Sequence, residues 1–312
     1  MRALDGRVIV VTGVTSGIGR ATARRLVAGG ATVVGVARDA DRLHQVAGEL
    51  PGLEPEVCDL TDARQRSLLV ARVLGRHPAV DGLVNNAAVG WQGMVADMGL
   101  ADLERLVATN VVAVLDLTRM LLPGMLARGD GDIVMVTSVL AWMAAPPLTV
   151  YAATKAAVEA FADGLRREVW RQGVRVHIVR PGPVATEFMA RSVGVRPREG
   201  DPRVRSAPGV APARVAAAIE RSLCASHPRR ETVPRLLSVT QAVRVQPVRA
   251  LADLAATVAG GRLVQLGRML TRQRAPGRSW QRIPAPAVTT RKENARAQAA
   301  RAQAAGIQPA RG

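Results

Sequence analysis

Short apolar runs alternate with helical segments across residues 8–179, and this alternation limits the fold more than any other feature. Stretches between the runs, such as Ile18–Ala28 and Ala101–Leu122, carry apolar residues at helical spacing. Strands that are apolar throughout are covered on both faces, so the pattern predicts an α/β fold with a doubly wound parallel sheet. The predicted strands are Val8–Val11, Ala31–Ala37, Leu53–Val57, Val80–Val84, Asp132–Thr137 and Arg175–Val179.

The chain has 312 residues, enough for one domain of roughly 200–250 residues and an extension. The stretch from Met189 to Pro212 is rich in Pro, Gly and Arg and is interpreted as a lid or binding loop. A helix is expected from Pro212 toward Ser226. We therefore predict a single domain over 1–230, a basic amphipathic helical extension over 231–272, and a mostly disordered basic tail over 273–312.

The positive charge is concentrated in the C-terminal part of the chain. The formal net charge is +18, and residues 191–312 hold 23 basic and 6 acidic side chains, whereas residues 1–190 hold 20 and 19. Three roles stay open: contact with an anionic membrane surface through 234–272, packing against the core or a subunit, and unspecific contact with acidic polymers. Trp280 is the one aromatic residue there, so specific nucleic-acid binding is not expected.

Neither a metal site nor a disulfide framework is indicated. Cys58 and Cys224 lie far apart, and the four histidines show no ligand spacing. The first strand begins within ten residues of Met1, and no apolar run reaches the ~18 residues of a membrane span. A cytoplasmic protein is expected, with peripheral membrane contact as the alternative.

A glycine cluster, Thr12-Gly13-Val14-Thr15-Ser16-Gly17-Ile18-Gly19, joins the first strand to the first helix. Glycines at this point allow a tight turn, a close approach of the backbone to a pyrophosphate, and close packing of the helix whose N-terminus holds the phosphates. The cluster predicts a Rossmann-type dinucleotide site, and an ordinary turn is the alternative. The loop residues predicted to contact the cofactor are Gly13, Thr15, Ser16, Gly17, Ile18 and Gly19.

Arg38 indicates which dinucleotide is preferred. It follows Ala37 at the end of the second strand, where an NAD site places an acidic residue for the ribose hydroxyls. A guanidinium suits a 2′-phosphate, so NADP(H) is predicted over NAD(H). A solvated arginine is the alternative, and the neighbouring Asp39 weakens the local positive field.

Tyr151 and Lys155 lie four residues apart on a predicted helix, so they project from the same face. The ammonium is expected to lower the pKa of the phenol and prepare it for proton transfer in redox chemistry on a carbonyl. Tyr151 is the only tyrosine and Lys155 one of two lysines in the chain. This isolation favours a specific role over ordinary packing.

Seven motifs together resemble the short-chain dehydrogenase/reductase family over about residues 5–228. The family usually has Asn-Asn-Ala-Gly where this chain has Ala88 in the last place. The resemblance implies an oxidoreductase that moves hydride between nicotinamide C4 and a carbonyl or alcohol carbon. The motifs are Thr12–Gly19, Asp59-Leu60, Asn85-Asn86-Ala87, Asn110, Ser138, Tyr151-x-x-x-Lys155 and Pro181-Gly182-x-x-x-Thr186.

The resemblance also implies four catalytic residues. Tyr151 would be the general acid in reduction and the general base in oxidation, and Lys155 would lower its pKa and bind the nicotinamide ribose. Ser138 would donate a hydrogen bond to the substrate oxygen. Asn110 would hold a water that links Lys155 to solvent, with a satisfied helix-kink asparagine as the alternative.

The remaining implied residues surround the cofactor. Asp59 would meet the adenine amino group, and Asn85 with Ala87 would flank the adenine ribose. Thr186 and the Val184 backbone would hold the carboxamide. Beyond the glycine loop and Arg38, the implied cofactor residues are Asp59, Leu60, Asn86, Ala87, Tyr151, Lys155, Pro181, Gly182, Val184 and Thr186.

Apolar residues flank these motifs and favour a lipophilic small-molecule substrate, although packing on neighbours is the alternative. They are Leu140-Ala141-Trp142-Met143, Pro146-Pro147-Leu148 and Val89-Gly90-Trp91. The resemblance further implies a homodimer or homotetramer built through the helices of Asn110 and Tyr151. The alternative function is an NADP(H)-binding scaffold or sensor with little turnover, whose extension engages a membrane or nucleic acid.

Overall fold

The computed structural model describes residues 2–188, 192–194 and 209–238. Its centre is a seven-stranded sheet with the order β3-β2-β1-β4-β6-β7-β9, and all neighbouring strands are parallel. A separate parallel pair joins β5 to β8. The strands are β1 Val8–Thr12, β2 Thr32–Ala37, β3 Leu53–Val57, β4 Gly82–Asn85, β5 Trp91–Gln92, β6 Gly131–Val136, β7 Val174–Pro181, β8 Val193–Gly194 and β9 Arg230–Val233.

Helices cover both faces of the large sheet and divide the core into two clusters. One cluster lies with α1, α2 and α7 and contains Leu26, Leu43 and Ile219. The other lies with α3, α5 and α6 and contains Leu69, Leu117 and Val158. The helices are α1 Gly17–Ala28, α2 Ala40–Glu49, α3 Ala63–Arg76, α4 Leu100–Val107, α5 Ala113–Arg128, α6 Thr149–Glu168 and α7 Pro212–Leu223.

The strand order reverses between β1 and β4, which are adjacent in the sheet but separated in the chain by two βα units. Connections on the two sides of such a point turn to opposite faces and leave a crevice at the carboxyl ends of the strands. The segments after β1, β4, β6 and β7 all leave this edge. They carry the glycine cluster, Asn86-Ala87, Ser138 and Pro181-Gly182.

Local signals in the sequence explain several helix ends. Asp39 begins α2 by accepting a hydrogen bond from the Arg42 amide, and Asp62 begins α3 by accepting from the amides of Arg64 and Gln65. Gly129 ends α5 in the left-handed region, with φ 64°. These residues mark where each helix starts or stops through local backbone and side-chain geometry.

The six predicted strands are present, with ends shifted by one or two residues. The structure adds β9, which the sequence analysis missed: residues 231–233 were assigned to the helical extension but pair with β7. The strand is short and contains Arg230, Glu231 and Thr232, so its sequence lacks the apolar run that is typical of a central strand. Residues 189–191 and 195–208 of the predicted loop, residues 239–272 of the extension and the tail 273–312 lie outside the described residues.

The helical stretch Leu100–Arg128 is the one described helix with the length and composition of a membrane span, with a mean hydropathy of 1.5. Its residues Val114, Leu117, Leu121 and Met125 are buried in the core cluster on the α3 side of the sheet. Burial in the core accounts for these apolar residues, as it does for a central helix of any large α/β domain.

Candidate active site

Tyr151 and Lys155 lie one turn apart on α6 and both are buried. The Lys155 ammonium lies 5.9 Å from the centre of the Tyr151 ring and donates a hydrogen bond to the carbonyl oxygen of Val136, the last residue of β6, over 3.0 Å. The shared helix face predicted from the spacing is therefore confirmed as geometry. α6 is fastened by this contact to the carboxyl edge of the sheet.

Burial sets the ionisation of both groups. It raises the pKa of Tyr151 well above the ordinary value, and the Ser138 hydroxyl opposes this shift by hydrogen bonding to the phenol. It lowers the pKa of Lys155 from 10.5 to about 8. From the sequence, Lys155 was expected to lower the pKa of Tyr151. In the structure the pKa of Tyr151 is raised instead, because the effect of burial is the largest and the Lys155 ammonium donates its hydrogen bond to Val136.

Ser138 stands directly beyond β6, where the chain turns into a short 3-10 helix, Val139–Ala141. Its hydroxyl oxygen accepts from the Leu140 amide over 3.1 Å, and its side chain lowers the pKa of Tyr151 against the effect of burial. The two hydroxyls therefore lie near each other. An oxygen atom placed between them receives two hydrogen bonds as negative charge develops on it.

Asn110 lies in a π-helical turn, Ala108–Val112, between α4 and α5. Its carboxamide oxygen accepts from the Val89 amide over 2.8 Å, and its nitrogen donates to Val89 O over 2.9 Å and to Thr154 Oγ1 over 3.1 Å. Thr154 in turn donates to the carbonyl of Tyr151 over 2.7 Å. Asn110 is therefore an asparagine with satisfied hydrogen bonds at a helix irregularity, and it connects α6 to the segment after β4.

The glycine loop presents the N-terminus of α1 to the crevice. No acidic residue lies in the first turn of this 12-residue helix, so its positive end is left for an anion. A Cβ on Gly19 would overlap the carbonyl oxygen of Gly13 and lie 2.6 Å from Asn86 Nδ2, and a Cβ on Gly17 would lie 3.0 Å from Thr186. The residues fit a dinucleotide whose pyrophosphate needs a close backbone approach.

Thr12 and Asn86 hold the loop in place. The Thr12 hydroxyl accepts from the amides of Asn86 and Ala87, each over 3.0 Å, and Asn86 Nδ2 donates to Thr12 O over 2.9 Å. Asn85 departs from the prediction that it flanks the adenine ribose. Its side chain is buried and donates to Thr118 Oγ1 over 3.2 Å, because the residues of a strand alternate between faces and Asn85 is directed into the core.

The predicted adenine side of the crevice is built around Asp59 and Leu60. Hydrogen bonds from the Thr61 amide and hydroxyl, and the charge of Arg38, hold the pKa of Asp59 below its ordinary value although burial opposes them. Arg66 is buried and donates to the carbonyl of Leu60 over 2.8 Å while pairing with Asp116 over 2.7 Å. The two residues are thereby held at the end of β3.

The segment after β7 follows the edge of the sheet toward the glycine loop. The Gly182 amide donates to Val233 O over 2.8 Å, and the Thr186 amide donates to Val184 O over 2.9 Å. Val184 also forms a bridge with Val210. Thr186 is thereby placed beside Gly17. The residue predicted to hold the carboxamide therefore lies next to a residue of the loop predicted to contact the pyrophosphate.

Two members of the predicted apolar flank make different kinds of contact. Gly90 lies beside Phe188, a residue outside the predicted flank: a Cβ on Gly90 would lie 3.1 Å from the Phe188 ring, which packs on Tyr151 with ring centres 5.6 Å apart. Trp142 instead covers a charged group: its ring lies 4.2 Å from the Arg180 guanidinium, and its indole N–H donates to Glu159. Trp142 therefore differs from the apolar lining role that the sequence favoured. In the described ranges, no three His, Cys, Asp or Glu side chains are grouped to hold a metal ion.

Comparison with known proteins identifies the class. The short chain dehydrogenase family model matches residues 7–194. The chain is 32% identical over 232 residues to dehydrogenase/reductase SDR family member 7B of Danio rerio, covering 71% of this chain and 75% of that protein. A short-chain dehydrogenase from Streptomyces avermitilis superposes with a TM-score of 0.70 at 32% identity, over 82% of this chain and 97% of that one.

A second structural neighbour contains a cofactor. The 3-ketoacyl-(acyl-carrier-protein) reductase from Brucella melitensis, solved with NADH, has a TM-score of 0.66 at 27% identity, over 75% of this chain and 99% of that one. The chain belongs to the short-chain dehydrogenase/reductase family. It is an NAD(P)-dependent oxidoreductase that acts on a small molecule.

Several residues of the site were missed by sequence reasoning. Thr154 and Thr12 were read only as parts of motifs, and Glu159 and Arg180 were not singled out. Glu159 extends the four-residue spacing of Tyr151 and Lys155, and Arg180 is a charged residue at the end of an apolar run, just before Pro181. Both signals were visible, but neither identifies a partner without the fold.

We predict that Gly19→Ala weakens cofactor binding. The added methyl must displace the Gly13 carbonyl, and overpacking of this kind costs about 1–3 kcal/mol, or roughly five- to hundredfold in affinity. Gly48→Ala is the matched control, because a Cβ there meets nothing within 4 Å. Titration of NADPH fluorescence measures both, and equal affinities in the two variants would contradict the assignment of the loop.

Proposed function

We propose that the protein is an NADP(H)-dependent oxidoreductase that transfers hydride between nicotinamide C4 and the carbonyl or secondary-alcohol carbon of a lipophilic small molecule. The observation that carries the proposal is the buried Tyr151, one helical turn from the buried Lys155 whose ammonium lies 5.9 Å from the centre of its ring, with Ser138 near its hydroxyl. A phenol in this position donates or accepts the proton that accompanies hydride transfer.

Each residue has a defined part in this proposal. The cofactor supplies or accepts the hydride. Ser138 and Tyr151 bind the substrate oxygen, and Tyr151 is held in its protonated form because burial raises its pKa. Lys155, with its pKa near 8, is positioned to exchange a proton near neutral pH. Asn110, in its π-turn, would hold a water that links Lys155 to solvent.

The preference for NADP(H) rests on the charges around the end of β2. Arg38 is exposed at this edge and contributes to the low pKa of Asp59. Asp39, which would oppose a phosphate, instead begins α2 and pairs with Arg42 over 3.4 Å. A 2′-phosphate beside Arg38 would therefore meet one guanidinium, and the carboxylate of the neighbouring Asp39 is already engaged by Arg42.

We predict that Arg38→Gln lowers the affinity for NADPH about ten- to hundredfold, the effect of one or two charge-assisted hydrogen bonds, and leaves NADH almost unchanged. Arg24→Gln is the control, because Arg24 is an exposed arginine of α1 that lies 3.7 Å from Glu49. Dissociation constants for both cofactors and both variants measure the effect. Equal losses for NADPH and NADH would contradict the phosphate contact.

The lipophilic substrate class is supported by the ring of Phe188 on Tyr151 and by the close approach of Phe188 to Gly90. A substrate whose oxygen reaches Tyr151 passes beside this ring, and an apolar flank favours an apolar substituent there. Absorbance of the nicotinamide with a panel of lipophilic and polar ketones and aldehydes tests this. Faster turnover of the polar members would exclude it.

The alternative is an NADP(H)-binding scaffold or sensor with little turnover. The observation that favours it is the charge of residues 191–312, which hold 23 basic and 6 acidic side chains. Association with anionic vesicles or DNA that weakens with salt, together with no turnover across the panel, would support it.

A homodimer or homotetramer is proposed through the helices of Asn110 and Tyr151. Val107 and Val112, on either side of Asn110, and Leu103, one turn before Val107, are exposed apolar side chains of this stretch. A row of this kind on one helix is typical of a covered surface. Light scattering of the purified chain measures the assembly, and a monomer at all concentrations would contradict it.

A further inference from the structure

A buried ion pair lies behind the candidate active site. Arg180 Nε and Nη2 donate to the two carboxylate oxygens of Glu159 over 3.0 and 2.8 Å. Each side chain is 1% exposed, and Arg180 Nη1 is buried with no hydrogen-bond partner in the part of the chain that the structure describes. Removing two charges from water is costly, so a buried pair with an unmatched donor is poor evidence of a purely stabilising role.

Glu159 continues the face of α6 that carries the candidate catalytic residues. Tyr151, Lys155 and Glu159 follow one another at four-residue spacing, so they lie along one side of the helix. Lys155 Nζ donates a hydrogen bond to Val136 O over 3.0 Å. One turn further on, Glu159 Oε2 lies 3.4 Å from the hydroxyl of Thr137.

The same carboxylate also accepts the indole N–H of Trp142. Thr137 directly precedes Ser138, and Trp142 follows it by four residues. Glu159 therefore contacts the chain on both sides of Ser138 and connects this segment to the helix of Tyr151.

Arg180 brings in a third segment. It directly precedes Pro181-Gly182 in β7, where the nicotinamide end of the cofactor is predicted to lie. Its guanidinium lies 4.2 Å from the centre of the Trp142 ring, within the range of a cation–π contact. One ion pair and one indole thus join α6, the Ser138 segment and the end of β7.

We infer that Glu159, Arg180 and Trp142 are positioning residues that set the Ser138 hydroxyl against the Tyr151 hydroxyl. The inference rests on the proposed function for its kinetic part. None of the three side chains contacts the two hydroxyls. Each acts through the backbone of the segments that carry them, and an error of about 1 Å in such a geometry can cost a hundredfold in rate.

The test uses a matched pair of variants in one strand. Arg180→Met removes one partner of the pair behind the site, and Arg175→Met removes an arginine from the ion pairs of Asp130 and Asp132 at the other end of β7. Both variants are expected to lose stability. Only Arg180→Met is expected to lose kcat, by about ten- to hundredfold, with KM and the affinity for NADPH within about twofold of wild type.

Trp142→Phe is the second variant, and it retains a ring over Arg180 while removing the donor to Glu159. Because Tyr151 is the only tyrosine, [13Cζ]tyrosine labelling gives a single NMR resonance that reports its hydroxyl without any assay. In Trp142→Phe and Arg180→Met this resonance is expected to move toward its position in Ser138→Ala. In Arg175→Met it is expected to stay at the wild-type position.

Wild-type resonance and wild-type kcat in folded Trp142→Phe would overturn the inference, as would an equal loss of kcat in Arg175→Met and Arg180→Met. The tyrosine resonance also distinguishes a failure of the proposed function from a failure of the positioning role. If wild type shows no turnover, the proposed function fails, and the tyrosine resonance alone decides whether the three residues position Ser138.

Discussion

Tyr151→Phe is expected to lower kcat/KM by about 10²–10⁴-fold, the usual contribution of a positioned general acid or base. The substitution removes one oxygen and leaves the ring packed against Phe188, 5.6 Å away. Because the glycine loop and the end of β2 are untouched, the affinity for NADPH is expected to change far less than kcat/KM, by no more than the one cofactor contact implied for the Tyr151 hydroxyl. Steady-state turnover and cofactor titration measure the two quantities on the same preparation.

Trp170→Phe serves as the control for an aromatic substitution near the same helix, since Trp170 is 70% exposed just beyond the end of α6. It should retain wild-type activity. Near-normal turnover in Tyr151→Phe would show that the proton comes from another group. Loss of cofactor binding in this variant would mean that the residue shapes the site rather than moving a proton.

Asp132→Asn is expected to give the largest loss of stability, about 3–5 kcal/mol, because it breaks a buried charge network on one side. Asp132 is fully buried at the edge of the sheet opposite the site. It accepts from Arg7 over 2.5 Å, Arg2 over 2.6 Å, Arg175 over 2.7 Å and His177 over 3.1 Å. His177 Nδ1 accepts from the Arg229 amide, so Nε2 carries the proton donated to Asp132.

The contribution of Asp132 to stability is expected to depend on pH. Burial alone raises the pKa of Asp132, but hydrogen bonds from His177 and Arg175 and the nearby positive charges hold it well below the ordinary value. A carboxylate with a lowered folded pKa contributes stability above its unfolded pKa, near 3.9, and loses it as the pH falls further. Asp132→Asn should therefore flatten the loss of stability below about pH 4.

The control is Asp130→Asn, because Asp130 pairs with Arg2 and Arg175 in the same cluster but its side chain is 44% exposed. Its loss is expected to be about 0–1 kcal/mol, the usual value for an exposed pair. Urea unfolding across pH measures both variants. Equal losses would show that exposure of the carboxylate does not decide its contribution.

The sequence predicted the features that depend on local patterns. The central strands are apolar runs because helices cover both faces of the sheet, and the shared face of Tyr151 and Lys155 follows from helical spacing alone. The edge strand β9 was missed, because its residues Arg230–Val233 carry no such run. A strand of this kind is recognised only by the partner that it pairs with.

The features that sequence did not predict depend on contacts between distant segments. Asn85 was expected at the cofactor, but its side-chain nitrogen donates a hydrogen bond to the Thr118 hydroxyl in the core. Burial raised the pKa of Tyr151, where a lowered pKa was expected. The spacing of residues along a helix does not show how deeply a side chain is buried. The pairing of Glu159 with Arg180 joins residues of α6 and β7 that only the folded sheet brings together.

The proposed function depends on hydride transfer between the nicotinamide and a substrate carbon, and isotope transfer measures this step. The protein is incubated with NADPH that carries deuterium at both C4 positions and with a panel of lipophilic ketones and aldehydes, and the products are analysed by mass spectrometry. We expect an alcohol that carries deuterium on the former carbonyl carbon, and none with Tyr151→Phe over the same time. Cofactor binding without deuterated product from any panel member would rule out the proposed reaction and favour the NADP(H)-binding scaffold.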